Sequence, residues 1–450
     1  MARAKKETAL TPEERLQAAL VPDWEWPYKL PENWCWTYLG VVSEIVMGQS
    51  PAGKSTTNDS SYMPLIGGAA DMGELYPQVS RFTKTPTKQS QTDDVILSIR
   101  ATLGRPIFSD GIYCLGRGVV AFRSSIVTKE FLRYFFIDQE NYLYQNATGT
   151  TFAQVDSKTL KSMPFPLPPF HEQRRIVRRV ESLFTKLDEA KDKAQKVVDE
   201  FKTRKAAILH KAFTGELTAK WRRTHGLSLD TWKEVAADSL FEYVTSGSRG
   251  WAKYYDESGA VFIRMGNLDH GTIELDFSDI QHVKLPNKAE GQRSRIRKND
   301  ILISITADVG MVGLVRNDDF EGYINQHIAL ARPVMSESAE FIAWYLVSDI
   351  GLKQMQEKQR GATKVGLSLN DIRALQLKIP LIEEQNEILK VIKMWIGKEQ
   401  QSQEAAEAVL DQIDLMKKSI LARAFRGELG TNDPSEESAV ELLKRGLEKK

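Results

Sequence analysis

Two cysteines in 450 residues, Cys35 and Cys114, lie in unrelated contexts. They are too few for a zinc cluster and give no disulfide framework. Six scattered histidines offer little more to a metal ion. No apolar run reaches the ~18 residues that a membrane span needs. The opening Met1-Ala-Arg-Ala-Lys-Lys-Glu is polar and has no apolar signal region, so the expectation is a reduced, cytoplasmic protein without a membrane segment. Net charge is also nearly absent: 61 Lys and Arg stand against 60 Asp and Glu. Any basic surface must therefore come from uneven placement of charge.

What the chain does have is a repeat. Pro168-Pro169-Phe170-His171-Glu172-Gln173 and Lys211-Ala212-Phe213-Thr214-Gly215-Glu216-Leu217 return as Ile379-Pro380-Leu381-Ile382-Glu383-Glu384-Gln385 and Arg423-Ala424-Phe425-Arg426-Gly427-Glu428-Leu429. The offset is 212 for both, and for Gly149-Thr150-Thr151 against Gly361-Ala362-Thr363. Upstream it drifts: 206 for Asp94–Ile99 against Asp300–Ile305, and 198 for Gly68 and Gly73 against Gly266 and Gly271. Loop lengths thus change inside the front part of each copy, while the back part keeps its length.

The back parts predict long helices. Ile176, Val180, Leu183, Leu187, Ala190, Ala194, Val197, Phe201 and Ile208 form a four–three apolar seam with Arg204 interrupting it. Ile388, Ile392, Trp395, Ala406, Val409, Ile413, Met416 and Ile420 repeat it, with Glu399 and Ser402 weakening the middle. Proline before each run and Gly215 or Gly427 after it mark the ends. Such seams need a partner, and each helix is the other's simplest partner. Residues 171–220 carry thirteen Lys/Arg against eight Asp/Glu, residues 383–428 seven against nine, so the pair is electrostatically matched. Antiparallel pairing is expected. The front parts show short β-rich runs, such as Val95–Ile99 and Ile301–Ile305, split by Gly, Asn, Asp and Ser, with a late helix at Glu130 or Glu340. The expected fold class is α+β: two domains and two long helices forming an antiparallel coiled coil, with an internal pseudo-twofold repeat.

Two motifs suggest catalysis. Gly48-Gln-Ser-Pro-Ala-Gly53-Lys54-Ser55 has P-loop spacing, but that chemistry needs a helix beginning at the lysine, and Thr56-Thr57-Asn58-Asp59-Ser60-Ser61 is a poor helix former. Leu167-Pro168-Pro169-Phe170 resembles the tetrad of amino methyltransferases, yet leucine stands where a side chain must bond the target amine. No catalytic, cofactor-binding or metal-binding residue is assigned to this chain.

The doubled Pro-x-x-x-Glu-Gln helix start (Pro-Pro-x-x-Glu-Gln in the first copy), heptad helix and Ala-Phe-x-Gly-Glu-Leu ending, with Phe213–Trp221 and the opening Glu13–Pro22, resembles the specificity subunit of type I restriction–modification enzymes. The resemblance implies an N-terminal helix and arm (1–30), a target-recognition domain (31–168), a central spacer helix (169–222), a second recognition domain (223–379), a C-terminal spacer helix (380–430) and a tail (431–450). It implies a DNA-binding, non-catalytic chain that reads a split double-stranded site, one half per domain. Two methyltransferase subunits, and through them restriction subunits, would dock on it. S-adenosylmethionine, ATP and Mg are expected on those partners, none in this chain. The alternatives are a coiled-coil adaptor and a self-contained DNA-modifying enzyme.

Loop donors and cations are the DNA-binding candidates. In the first copy they are Gln49, Ser50, Lys54, Ser55, Arg81, Lys84, Lys88, Arg100, Arg105, Thr150 and Thr151. In the second they are Ser246, Ser248, Arg249, Arg264, Asn267, Gln326, His327, Arg360 and Lys364. The loops common to both copies, Gly149-Thr150-Thr151 and Gly361–Lys364, suit the common phosphate backbone better than base edges.

Overall fold

The computed structural model describes residues 11–149, 152–247, 249–286, 292–360 and 366–448. The chain divides into two units, residues 1–192 with 410–450, and residues 193–409. Each long helix is therefore split between them.

In the first unit a four-stranded sheet is built from β1 (Glu44–Met47), β2 (Val95–Arg100), β3 (Thr102–Phe108) and β4 (Val119–Arg123). Its order is β1-β4-β2-β3, all antiparallel. β2 reads Val-Ile-Leu-Ser-Ile and is buried on both faces, which is why its apolar run is continuous rather than alternating. One face meets the helix Lys129–Asp138, capped by Thr128, through Phe131, Phe135 and Phe136; the other meets Ile66 and Leu115 of a small satellite sheet and Met72 beside it. Cys35–Tyr38 pairs with Pro164–Leu167 and delivers the chain into α1 (Phe170–Phe213).

The second unit repeats the plan. β5 (Phe241–Ser246), β6 (Ile301–Ser304), β7 (Val312–Leu314) and β8 (Ile328–Pro333) form a sheet of order β5-β8-β6-β7. Lys233–Ala236 pairs with Gln376–Ile379, which leads into α2 (Ile382–Phe425). Equivalent polar joints confirm the repeat. The buried Asp94 carboxylate takes two hydrogen bonds from Arg123 and one from the Gln91 N–H; the buried Asp300 does the same with Arg332 and the Arg297 N–H.

Both long helices have 44 residues, and each stops before a left-handed glycine, Gly215 at φ 82° or Gly427 at φ 74°. Within each unit the helix segments run antiparallel. Asp188 pairs with Lys417 and Arg175 with Glu436 in the first; Arg204 pairs with Glu399 at 2.9 Å in the second. The two polar interruptions of the seams thus meet each other. The seam of α2 differs from the apolar reading. Trp395, Val409 and Met416 are exposed, and the inward positions are Ile392, Ile396, Glu399, Gln403, Ala406, Leu410, Ile413, Lys417 and Leu421. Both registers keep the four–three spacing, and in the one that faces inward Glu399 and Lys417 are tolerated because each finds an opposite charge. Ser402 faces out and bonds the Lys398 carbonyl.

The helix starts work as joints. Gln173 bonds the Thr128 N–H and the carbonyls of Ile126 and Pro168. The Glu384 carboxylate is wholly buried and accepts from Thr218 Oγ1 (2.7 Å), Arg222 Nη1 and Trp232 Nε1 (3.0 Å), all in the segment that leaves α1. Glu172 mirrors it, accepting from Thr431 in the segment that leaves α2 and from Arg175 one turn further along α1. The glutamate of each start therefore ties down the end of the other helix. The N-terminal arm is built into the first unit: Pro12–Ala19 is a capped helix, Ala19, Val21 and Leu30 join the core, and Tyr28 Oη donates to the Phe425 carbonyl. The helix Ala439–Glu448 packs there too, its Ala439 N–H bonded to the Asn33 carbonyl.

Candidate nucleic-acid interface

The sheet topology gathers loops at one end in each unit. In the first, β1 ends at Gly48–Ser50, β4 begins after Gly116–Gly118, and β2 turns into β3 at Ala101. Registers make the counterparts explicit. Val119 faces Ser98 as Ile328 faces Ser304, and Val120 faces Met47 as Ala329 faces Ser246. So Gly48 corresponds to Gly247, and Arg117 to Gln326. A Cβ on Gly48 would stand 2.0 Å from the Gly116 carbonyl oxygen, and one on Gly247 2.1 Å from that of Ile324. Only glycine lets the two loops cross this closely.

Around this crossing in the first unit lie Gln49, Ser50, Lys88 and Arg117, all exposed. Gln49 donates its N–H to the Leu115 carbonyl and receives the Thr87 hydroxyl at its own carbonyl. Lys88 sits opposite Leu115. Ser50 Oγ accepts from the Arg117 backbone N–H at 3.2 Å and from its Nε at 3.4 Å. Arg100 and Arg105 are exposed beside the Ala101 turn, where Arg100 bridges to Gln154. Lys54 is exposed, and Lys84 is exposed with Nζ 5.2 Å from the Tyr62 ring centre. Arg81 is spent in part on Asp71, at 2.8 Å. Ser55 is a correction: it is buried and its hydroxyl donates to the Ala52 carbonyl, so it holds a turn rather than facing solvent. Gly53–Ser55 is one 3-10 turn followed by a strand, without the helix that a phosphate-cradling loop requires.

In the second unit the same end forms a cleft of about 540 Å³, lined by Ser246, Arg249, Arg293, Thr306, Gln326 and Ser368 among others. His327 Nδ1 lies 2.6 Å from Thr306 Oγ1, and its Nε2 lies 2.8 Å from Gln326 Nε2. Asn267 is a second correction. It is buried, and its amide bonds the Arg264 N–H and the carbonyls of Asp276 and Asp279. Arg264 pairs with Asp279, and Arg360 loosely with Asp371 at 3.3 Å. Hydrogen bonds from Ser368, helped by Arg360, hold the Asp371 carboxyl below its ordinary range. Thr150, Thr151, Ser248 and Lys364 lie outside the described residues.

Sequence reasoning passed over Arg117, Arg293 and Thr306. A signal existed for Arg117: a cation between two glycines directly before the Val119–Phe122 run. Among the described residues no cluster of His, Cys, Asp and Glu would hold a metal ion, and no helix is long and apolar enough to cross a membrane.

Two heads with corresponding loops, each delivering a 44-residue helix, define an internally duplicated α+β protein. The chain belongs to the family described as type I restriction modification DNA specificity domain, which matches residues 31–198 and 230–407. It is 27 % identical over 317 residues to the type I restriction enzyme EcoBI specificity subunit of Escherichia coli, covering 66 % of this chain and 65 % of that one, just under two thirds. It is 23 % identical to the EcoKI specificity subunit of E. coli K12, covering 89 % and 90 %. The crystal structure of the HsdS subunit from Thermoanaerobacter tengcongensis shares the fold, with TM-score 0.60, 20 % identity and coverage of 90 % and 99 %. A chain solved in work on assembly of a type I R-M system gives TM-score 0.67 at 19 % identity, covering 89 % and 100 %.

Proposed function

We propose that this chain is the DNA-reading component of a type I restriction–modification complex. Each head binds one half of a split duplex site, and the chain recruits two methyltransferase subunits and, through them, the restriction subunits. S-adenosylmethionine, ATP and Mg chemistry belongs to those partners, and the assembly works in the cytoplasm. The observation that carries this reading is the pair of matching sheet ends. On one scaffold they set out different donors and acceptors: exposed Gln49, Arg100, Arg105 and Arg117 in one head, exposed Arg249 and Arg293 with half-buried Gln326 lining the cleft in the other. A common frame with unlike polar tips suits two unlike half-sites on a common phosphate backbone.

Fluorescence anisotropy of the full-length chain with a labelled random-sequence duplex tests it. Binding is expected to weaken as salt rises; even two neutralised phosphates give about a tenfold loss between 50 and 200 mM. No binding at low salt, or binding indifferent to salt, would overturn the proposal.

A further inference from the structure

We infer that Arg117 and Gln326 are the corresponding base-reading residues of the two heads, Arg117 for a guanine and Gln326 for an adenine. The inference rests on the DNA-reading role proposed above and deepens it.

Three observations carry it. First, the registers of β4 and β8 put the two residues at the same position, two before Val119 and two before Ile328, where the glycine crossing lifts the loop over the end of the sheet. Second, in each case one nitrogen of the side chain is tied back inside the head. Arg117 Nε donates to Ser50 Oγ, which leaves the two terminal amino groups of the guanidinium free as a fork. Gln326 Nε2 faces His327 Nε2, so that ring nitrogen accepts, and the ring proton sits on Nδ1 and goes to Thr306 Oγ1. That leaves Gln326 one free N–H beside its free carbonyl oxygen.

Third, those free faces match base edges in the major groove. Two parallel N–H donors fit the O6 and N7 acceptors of guanine. One donor beside one acceptor fits N7 and the 6-amino group of adenine. Ser50, His327 and Thr306 are positioning residues in this scheme, since they set which atoms each reader leaves exposed.

Selection of bound duplexes from a random pool, by the full-length chain and by R117Q and Q326R in parallel, tests the assignment. R117Q is expected to change one guanine to adenine in one half-site and leave the other half-site untouched. Q326R is expected to make the reverse change in the other half-site. Discrimination at the affected base is expected to fall roughly five- to 140-fold with R117A or Q326A, which carry no new bulky group. Unchanged preferences, changes spread over both half-sites, or an equal loss on all sequences would overturn the inference while leaving the DNA-reading role standing. A wild-type chain that enriches no sequence would overturn that role and the inference with it.

Discussion

Replacing Glu384 should unlock one joint of the molecule and leave the other closed. Its carboxylate has no exposed surface, and the Arg222 side chain beside it is 8 % exposed. Glu384→Ala removes the acceptor from Thr218, Arg222 and Trp232 at once and leaves a guanidinium buried without its countercharge. Breaking a buried pair from one side costs about 3–5 kcal/mol, which is roughly two to three and a half decades in a local opening constant. Hydrogen exchange read by mass spectrometry should show that loss of protection in residues 214–232 and at the start of α2. The mirror change, Glu172→Ala, should cost less in the first unit, because Arg175 is 34 % exposed and retains Glu436. A loss below about 1 kcal/mol for Glu384→Ala would refute the reasoning, as would equal loss of protection in both units.

Other expectations follow from the same geometry. Gly48→Ala drives a methyl group into the Gly116 carbonyl and should cost about 1–3 kcal/mol, whereas Gly53→Ala, with nothing within 4 Å, should leave the melting temperature unchanged. Arg204→Leu alone should destabilise the second unit in urea unfolding, while Arg204→Leu with Glu399→Leu should be neutral or stabilising, since two leucines restore an apolar seam. Arg175 holds the Glu436 carboxyl below its ordinary range. A depressed folded value adds stability above the unfolded carboxylate value near ~4.3 that is lost as pH falls through the folded value. Glu436→Gln should therefore flatten the acid limb of a thermal-stability profile of the first unit; an unchanged limb would remove the pair from the account.

The repeat and its joints were legible because they answer backbone requirements. A glycine is needed where φ is positive after each helix, and a buried glutamine must satisfy the carbonyls at each helix start. The seam of α2 was less legible. Trp395, Val409 and Met416 are the more apolar choices, yet the inward face runs through Ile396, Glu399, Gln403, Leu410 and Lys417. Whether such polar groups are tolerated depends on charges on the other helix, which no window along one helix contains. The interface was legible as a class of residues and not as a place. Ser55 and Asn267 have the right chemistry, but their polar atoms serve the chain itself. Arg117 stands at the sheet end only because β1 and β4 pair across more than seventy residues of sequence, and pairing of that kind leaves no local mark.

The central claim is that two heads read two separate stretches of duplex DNA. Selection and sequencing of random duplexes bound by the full-length chain tests it most directly. The enriched sequences should contain two short specified blocks separated by a stretch of unspecified bases. A single uninterrupted block, or no enrichment at all, would contradict the account.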